Sequence, residues 1–261
     1  MSADNERIDN MLRGYYTAAN GIINEQRILN VITNNMANVK TAGYKTDTAI
    51  PTTFAEEMIL INGKSNANTG TIRYRTLDMT YSSLEQGSFE NTGSRLDMAL
   101  IGNVYFNIES RKTGETLLTR NGQFSIDAEG YLALGSSGRI LDENGEPIQL
   151  GTADFTVSKY GTVTTDDGRT FNLGLTYIAA NTDVEKVDDN MFRTYDNAAV
   201  GNIPADEEYE VRQGSYERSN VDIADETIKA MDAQNVFTAC STALKIINSV
   251  NQIAANDLAK I

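Results

Sequence analysis

The sequence predicts an α+β chain: long N- and C-terminal helices pair as a coiled-coil or bundle domain, and an all-β central domain is inserted between them. Three observations carry this. Apolar residues recur at three- and four-residue steps near both ends, the period falls to two in the middle, and glycine-bearing turn signals cut the middle into short pieces.

The first helix is read from Leu12, Tyr15, Ala19, Ile22, Leu29 and Met36, a heptad-like stripe in which polar Gln26 and Thr33 fill two places. Tyr16, Ile23 and Ile32 widen it. The pattern stops at Thr41-Ala42-Gly43, where Gly43 suits the left-handed conformation that ends a helix.

The last helix is announced by Ser219-Asn220-Val221-Asp222, a capping-box pattern, with Asp225 and Glu226 where a helix N-terminus favours negative charge. Its stripe is Ala230, Ala233, Phe237, Cys240, Leu244, Ile247, Asn251, Ala254, Leu258 and Ile261, with Ala243, Ile246 and Val250 beside it.

Between the helices, Leu96, Met98 and Leu100, then Val104, Phe106 and Ile108, then Phe124 and Ile126 alternate with other residues, as strands with one buried face do. Turns are expected at Arg120-Asn121-Gly122, Asp127-Ala128-Glu129-Gly130, Asp142-Glu143-Asn144-Gly145, Lys159-Tyr160-Gly161 and Asp166-Asp167-Gly168. The stretch from Thr46 to Arg95 is less regular, with extended pieces expected at Ile72-Arg73-Tyr74 and Thr80-Tyr81. The expected division is 1–10 an extension, 11–45 the first helix, 46–95 an extended connector, 96–205 the β domain, 206–218 a return segment and 219–261 the last helix.

Composition narrows the function. With 22 Lys+Arg against 36 Asp+Glu, a net charge of -14 disfavours phosphate backbones and anionic lipid, so neither a nucleic acid nor membrane insertion is expected. No apolar run is long enough to span a bilayer and no secretory leader is evident. There is no histidine and one cysteine, Cys240, which removes Ser-His, Cys-His and His-metal chemistry and any intramolecular disulfide. No cofactor, no metal site and no catalytic residue is expected.

Both stripes are wider than a two-stranded seam needs, so an isolated molecule would leave apolar surface exposed. A contact between different patches of identical copies does not close on itself and propagates as a helix. The expected subunit interface comprises Leu12, Tyr15, Ala19, Ile22, Leu29, Asn34, Asn35, Met36 and Asn38 at one end and Phe237, Cys240, Leu244, Ile247, Ala254 and Leu258 at the other. Terminal helices without partners are expected to fold as they dock.

The segment from Leu12 to Gly21, Leu-Arg-Gly-Tyr-Tyr-Thr-Ala-Ala-Asn-Gly, followed by Val31 to Lys45, Val-Ile-Thr-Asn-Asn-Met-Ala-Asn-Val-Lys-Thr-Ala-Gly-Tyr-Lys, resembles the N-terminal signature of flagellar rod and hook proteins. In that family the core is Asn-Asn-Leu-Ala-Asn, ending in Thr, Gly, an aromatic and Lys; here Met36 stands for the Leu and Tyr44 is the aromatic. Gln86-Gly87-Ser88-Phe89 with Asp97 to Gly102 resembles the family's lead into its β domain, Thr119 to Phe124 its first clear hairpin, and Ser219 to Asp222 its closing block.

The resemblance implies a basal-body rod subunit, of the proximal or distal type, whose terminal helices form a tube around the export channel with the β domain outside. It also implies export through the flagellar type III apparatus without a cleaved signal peptide. The expected partners are copies of itself, neighbouring rod and hook proteins, and that export apparatus. The family begins near Met11, which leaves Met1 to Asn10 as an extension. On the resemblance, the cluster Asn30, Asn34, Asn35 and Asn38 sets register between neighbouring subunits; the plainer reading is a solvated face near a helix end.

Other features read more plainly still. Asp142-Glu143-Asn144-Gly145 lacks the acidic twelfth position of a calcium loop, where Ala153 stands. Glu56-Glu57, Asp188-Asp189 and Glu207-Glu208 are read as surface charge rather than as a hydrolase's pair of acids. The alternative function is a cell-envelope or phage-tail-like oligomeric glycan-binding module.

Overall fold

A computed structural model of the chain describes residues 2–53, 75–179, 184–188, 190–194, 200–201, 203–204 and 207–258. The side chains of Leu12, Ala254 and Leu258, and the piece Ile72-Arg73-Tyr74, lie outside the described residues. Two long helices flank a large β-rich region, and the chain divides into two compact units.

The first unit contains the helices Ser2–Ala37 and Ile223–Leu258 and the paired strands Asp47–Thr53 and Arg75–Ser82. The first helix ends at Ala37, ahead of the expected stop at Thr41-Ala42-Gly43; in the turns that follow, Thr41 N–H donates to the Asn38 carbonyl at 3.0 Å and Gly43 takes φ 65°. The last helix starts later than Ser219. The Ser219 hydroxyl accepts the Val221 N–H at 3.2 Å, forming a turn ahead of the helix, which begins at Ile223. Asp225 and Glu226 occupy its first turn, where Lys229 pairs with both at 2.7 and 2.8 Å.

The packed face of the first helix is rotated from the predicted stripe. Ala18, Ile32 and Asn35 are buried, while Tyr15, Tyr16, Ile23 and Met36 are exposed. Glycine is the physical reason. A Cβ on Gly21 would lie 2.8 Å from Cys240 Sγ, too close for a side chain, and one on Gly14 3.6 Å from Ile247 Cδ1, an ordinary contact, so the last helix packs tightly at a residue that apolar periodicity does not count. On the last helix the described residues that are partly or fully buried are Glu226, Ala230, Ala233, Phe237, Cys240, Ser241, Ala243, Leu244 and Ile247, while Ile228, Met231, Val236, Ile246, Val250 and Ile253 are exposed.

The second unit is formed by Ala37–Thr46 and Ser82–Asp222. Its spine is the strand Val104–Ser110, which pairs antiparallel with Thr116–Thr119, Gly138–Ile140 and Leu175–Ile178 within a nine-stranded sheet. Strict alternation fails where it was expected: Met98, Ala99 and Leu100 are all buried, and so are Val104, Tyr105 and Phe106. Both faces of the spine are covered, with Val104 and Phe106 in the main core and Tyr105 in a second cluster with Leu118, Ile178 and Phe192. A strand buried on both sides loses its period. Phe106 meets Phe124 edge-to-face at 5.0 Å in the main core. Each fully buried large apolar side chain contributes about 1.5–3 kcal/mol.

The turn signals fall between strands, but the expected hairpin at Thr119 to Phe124 does not form. Thr116–Thr119 pairs with Val104–Ser110 and Met191–Thr194, and Ser125–Ile126 pairs with Leu132–Leu134. The intervening peptide instead lies against Met98, whose N–H donates to the Gly122 carbonyl at 2.9 Å.

Candidate functional site

The second unit gathers residues distant in sequence around one buried carboxylate, that of Glu217 on the short strand Ser215–Glu217. Its Oε1 accepts Lys45 Nζ at 2.7 Å and the Gly87 N–H at 2.9 Å, and its Oε2 accepts Arg120 Nη1 at 3.0 Å. Lys45 Nζ also donates to the Glu85 carbonyl at 2.7 Å. The Arg120 guanidinium donates to the Leu100 carbonyl at 2.8 Å and to that of Gly102, and lies over the Tyr105 ring at 4.8 Å.

Lys45, Arg120 and Glu217 are each almost wholly inaccessible to solvent. Buried charges need such partners, because each costs several kcal/mol to remove from water. Burial pulls the Lys45 ammonium below its ordinary value; Glu217 pulls it back up and Arg120 adds to the lowering.

The backbone closes the same junction. Gly43 N–H donates to the Glu217 carbonyl at 2.8 Å. A Cβ on Gly43 would lie 2.4 Å from the Arg120 carbonyl carbon, so only glycine lets these two segments touch. Tyr44 is buried with the Lys186 ammonium 3.7 Å from its ring centroid. Thr46 donates from its N–H and its hydroxyl to Asn220 Oδ1 at 2.8 and 2.7 Å, and Asn220 Nδ2 donates to the Ser83 and Glu85 carbonyls. The chain leaving the first helix and the chain approaching the last are thereby fastened side by side.

In the first unit, Asn35 is buried and its amide is engaged within the chain. Nδ2 donates to the Asp47 carbonyl at 2.8 Å and to Glu226 Oε2 at 3.0 Å, and Oδ1 accepts the Asp47 N–H at 3.0 Å. Of the other candidate residues, Tyr15, Asn34 and Met36 are exposed, and Ala19, Ile22, Leu29, Asn38, Phe237, Cys240, Leu244 and Ile247 are half-buried.

The acidic signals stay plain. Asp142 Oδ1 accepts the N–H groups of Asn144 and Glu146 at 2.8 and 2.9 Å, so its oxygens hold a turn. No cluster of His, Cys, Asp and Glu suited to a metal ion occurs among the described residues. An open cleft of about 610 Å3 in the β unit is lined by residues that include Lys159, Tyr160, Glu207 and Tyr209. There Glu207 accepts the Tyr177 hydroxyl at 2.8 Å, and Glu210 lies 3.8 Å from Lys159. Glu56, Glu57 and Asp189 lie outside the described residues. No described helix is long and apolar enough to cross a membrane.

Sequence reasoning singled out Lys45 and Arg120 only as members of motifs and did not single out Glu217. Ion pairing across such sequence distances leaves no periodic signal.

These features define a scaffold protein, whose β unit ties together chain segments distant in sequence through one buried carboxylate. Comparison with known proteins gives the family. Residues 16–45 match the family model described as "Flagella basal body rod protein", residues 99–169 that of the "Flagellar hook protein FlgE/F/G D1 domain", and residues 212–258 that of the "Flagellar basal body rod FlgEFG protein C-terminal". Lys45, Arg120 and Glu217 each fall in a different one of these segments.

Among similar proteins, the flagellar basal-body rod protein FlgG of Bacillus subtilis (strain 168) is 31% identical over 261 residues, covering 93% of this chain and 97% of the relative. The flagellar basal-body rod protein FlgF of Caulobacter vibrioides is 27% identical over 243 residues, covering 90% and 94%. The flagellar hook-basal body complex protein FlhP of Bacillus subtilis is 27% identical over 270 residues, covering 92% and 100%. The chain belongs to the flagellar basal-body rod protein family. It is a structural rod subunit located in the flagellar basal body, and the glycan-binding alternative is not favoured.

Proposed function

We propose that this chain polymerises through its terminal helices into a hollow helical tube of the rod, which transmits torque, and that it catalyses nothing. The observation that carries the reading is the row of apolar side chains left exposed on the last helix: Ile228, Met231, Val236, Ile246, Val250 and Ile253. Tyr15, Tyr16, Ile23 and Met36 add exposed apolar surface on the first helix. Exposed apolar surface of this extent suits burial against neighbours.

In this reading the two helices of one chain pair antiparallel as a coiled coil. Residues 11–45 and 219–261 form the assembly domain and 96–205 the outer β domain, joined by the connector 46–95 and the return segment 206–218. The interface uses the apolar faces around Leu12, Tyr15, Ala19, Ile22, Leu29 and Met36, with Asn34 and Asn38 at its polar edge. On the other helix it uses Phe237, Leu244, Ile247, Ala254 and Leu258. Partners are further copies, neighbouring rod and hook proteins, and the flagellar type III export apparatus. The site of action is the periplasm or cell wall, reached without a cleaved signal peptide.

Deleting Val236 to Ile261 tests this: the expected product is soluble and folded in its β unit but absent from purified basal bodies. A truncated chain that still enters the rod overturns the reading.

A further inference from the structure

We infer that Asn35 and Glu226 are positioning residues that set the register in which the two terminal helices of one chain pair; this rests on the pairing reading above. The contacts between the helices advance in heptad steps. Gly14 faces Ile247, and one heptad along the first helix Gly21 faces Cys240, one heptad back along the last. Two heptads further, Asn35 faces Glu226 at 3.0 Å. Ile28 and Ala233, half-buried and buried, stand at the intervening step.

Most of this row is apolar or small. Moved by one heptad in one direction, Gly14 would meet Cys240, Gly21 would meet Ala233 and Ile28 would meet Glu226. Moved the other way, Asn35 would meet Ala233. The polar step discriminates in both directions, because each slip buries an amide or a carboxylate against an apolar partner; the second slip also brings Ile28 opposite Cys240, where even a Cβ on Gly21 would lie 2.8 Å from the sulfur. A single polar position in an apolar seam is a recognised way to specify register at some cost in stability.

Asn35 is unusually well fitted to the task. It is 1% exposed, and both ends of its amide are pinned by the backbone of Asp47 at 2.8 and 3.0 Å, so it cannot follow Glu226 if the last helix slides. Glu226 is 3% exposed, and its second oxygen takes Lys229 Nζ at 2.8 Å. A one-heptad slip moves one helix about 10 Å along the other. Such a slip would change the spacing between the exposed apolar residues of the first helix and those of the last. The buried Asn of the N-terminal signature thus acts inside the subunit.

Cysteine cross-linking in the full-length chain reads register directly, because Cys240 is the only native cysteine. Gly21→Cys places a second thiol beside it, whereas Gly14→Cys and Ile28→Cys report a slip of one heptad either way. In dilute, oxidised protein, the Gly21→Cys intrachain cross-link is expected to exceed the other two by about tenfold or more. With Asn35→Leu and Glu226→Leu added, that excess is expected to collapse as a slipped cross-link rises.

An unchanged preference for Gly21→Cys in the Leu variants overturns the register role and leaves the pairing intact. Uniform loss of all three cross-links in those variants also overturns it, since the pair would then only stabilise. Absence of the Gly21→Cys intrachain product in the otherwise native chain, or its replacement by interchain dimers, overturns the pairing itself.

Discussion

Lys45 and Glu217 meet at 2.7 Å with neither side chain open to solvent, and Arg120 shares the same carboxylate at 3.0 Å. One anion therefore serves two buried cations, which makes the three residues unequal. Removing Lys45 leaves Glu217 paired with Arg120 and with the Gly87 N–H; removing the anion leaves two like charges facing each other in the interior.

The substitutions Glu217→Gln and Lys45→Met measure that inequality. Glu217→Gln is expected to cost about 3–5 kcal/mol of stability, the usual loss when a buried charge is stranded. Lys45→Met, which also gives up the hydrogen bond to the Glu85 carbonyl, is expected to cost about 1–2 kcal/mol. Urea unfolding of both variants checks the order. An equal or reversed order would mean that Glu217 is not the centre of the junction.

Two glycines with the same backbone sign separate strain from collision. Gly145 takes φ 85° with nothing within 4 Å of an added Cβ, whereas Gly43 takes φ 65° with the Arg120 carbonyl carbon at 2.4 Å. Gly145→Ala should cost about 1–2 kcal/mol, the left-handed penalty alone. Gly43→Ala must also push apart a pair of touching backbone segments, and its unfolding midpoint should fall well below that of Gly145→Ala. Matching midpoints would show that the 43–120 contact is soft.

The Asp142 turn illustrates what was legible in the sequence: its signals are local, since Asp142 bonds the N–H groups of Asn144 and Glu146. Helices and strands were legible for the same reason, each having a short period. The junction was not, because Lys45, Arg120 and Glu217 are joined only by the fold. The close packing at Gly21 was not legible either, because periodicity weighs apolar side chains such as Tyr15 and Met36, which are exposed, and gives no weight to a residue whose lack of a side chain permits the contact. Asn35 was legible as special, but its partners Asp47 and Glu226 needed the structure.

Acid should weaken the β unit through two turn carboxylates. The Tyr131 N–H, then Arg139 and the Glu129 N–H, hold Asp127 below the ordinary aspartate value of 3.8. At Asp142, burial pushes upward but is outweighed by the Glu146 and Asn144 N–H groups, and this carboxyl is lowered too. A lowered folded pKa means that the unfolded chain binds more protons through this range, so the stabilisation is complete above about pH 4 and is lost as pH falls through the folded values. Urea midpoints followed from pH 7 to acid should decline below about pH 4. Asp142→Asn should lower the neutral midpoint and make the acid decline shallower. An acid decline unchanged by Asp142→Asn would remove this turn from the account.

The exposed faces of the helices should matter to assembly and not to the single chain. Ile228 and Ile246 are 59% and 58% exposed on the last helix, so Ile228→Glu and Ile246→Glu remove little burial within the monomer. Their effect on the monomer's unfolding midpoint should stay within about 0.5 kcal/mol, as for surface substitutions generally. In a rod, the same carboxylate would be forced into an apolar contact with a neighbouring subunit and would cost several kcal/mol unless the contact opens. Cells carrying either variant should therefore lose swimming on soft agar and lack the protein in purified basal bodies. Gln252→Glu, also on the exposed stretch of this helix, serves as the control for added charge alone. Normal swimming with Ile228→Glu and Ile246→Glu combined would show that these residues face solvent in the assembled rod, and the tube would then have to be built on another surface.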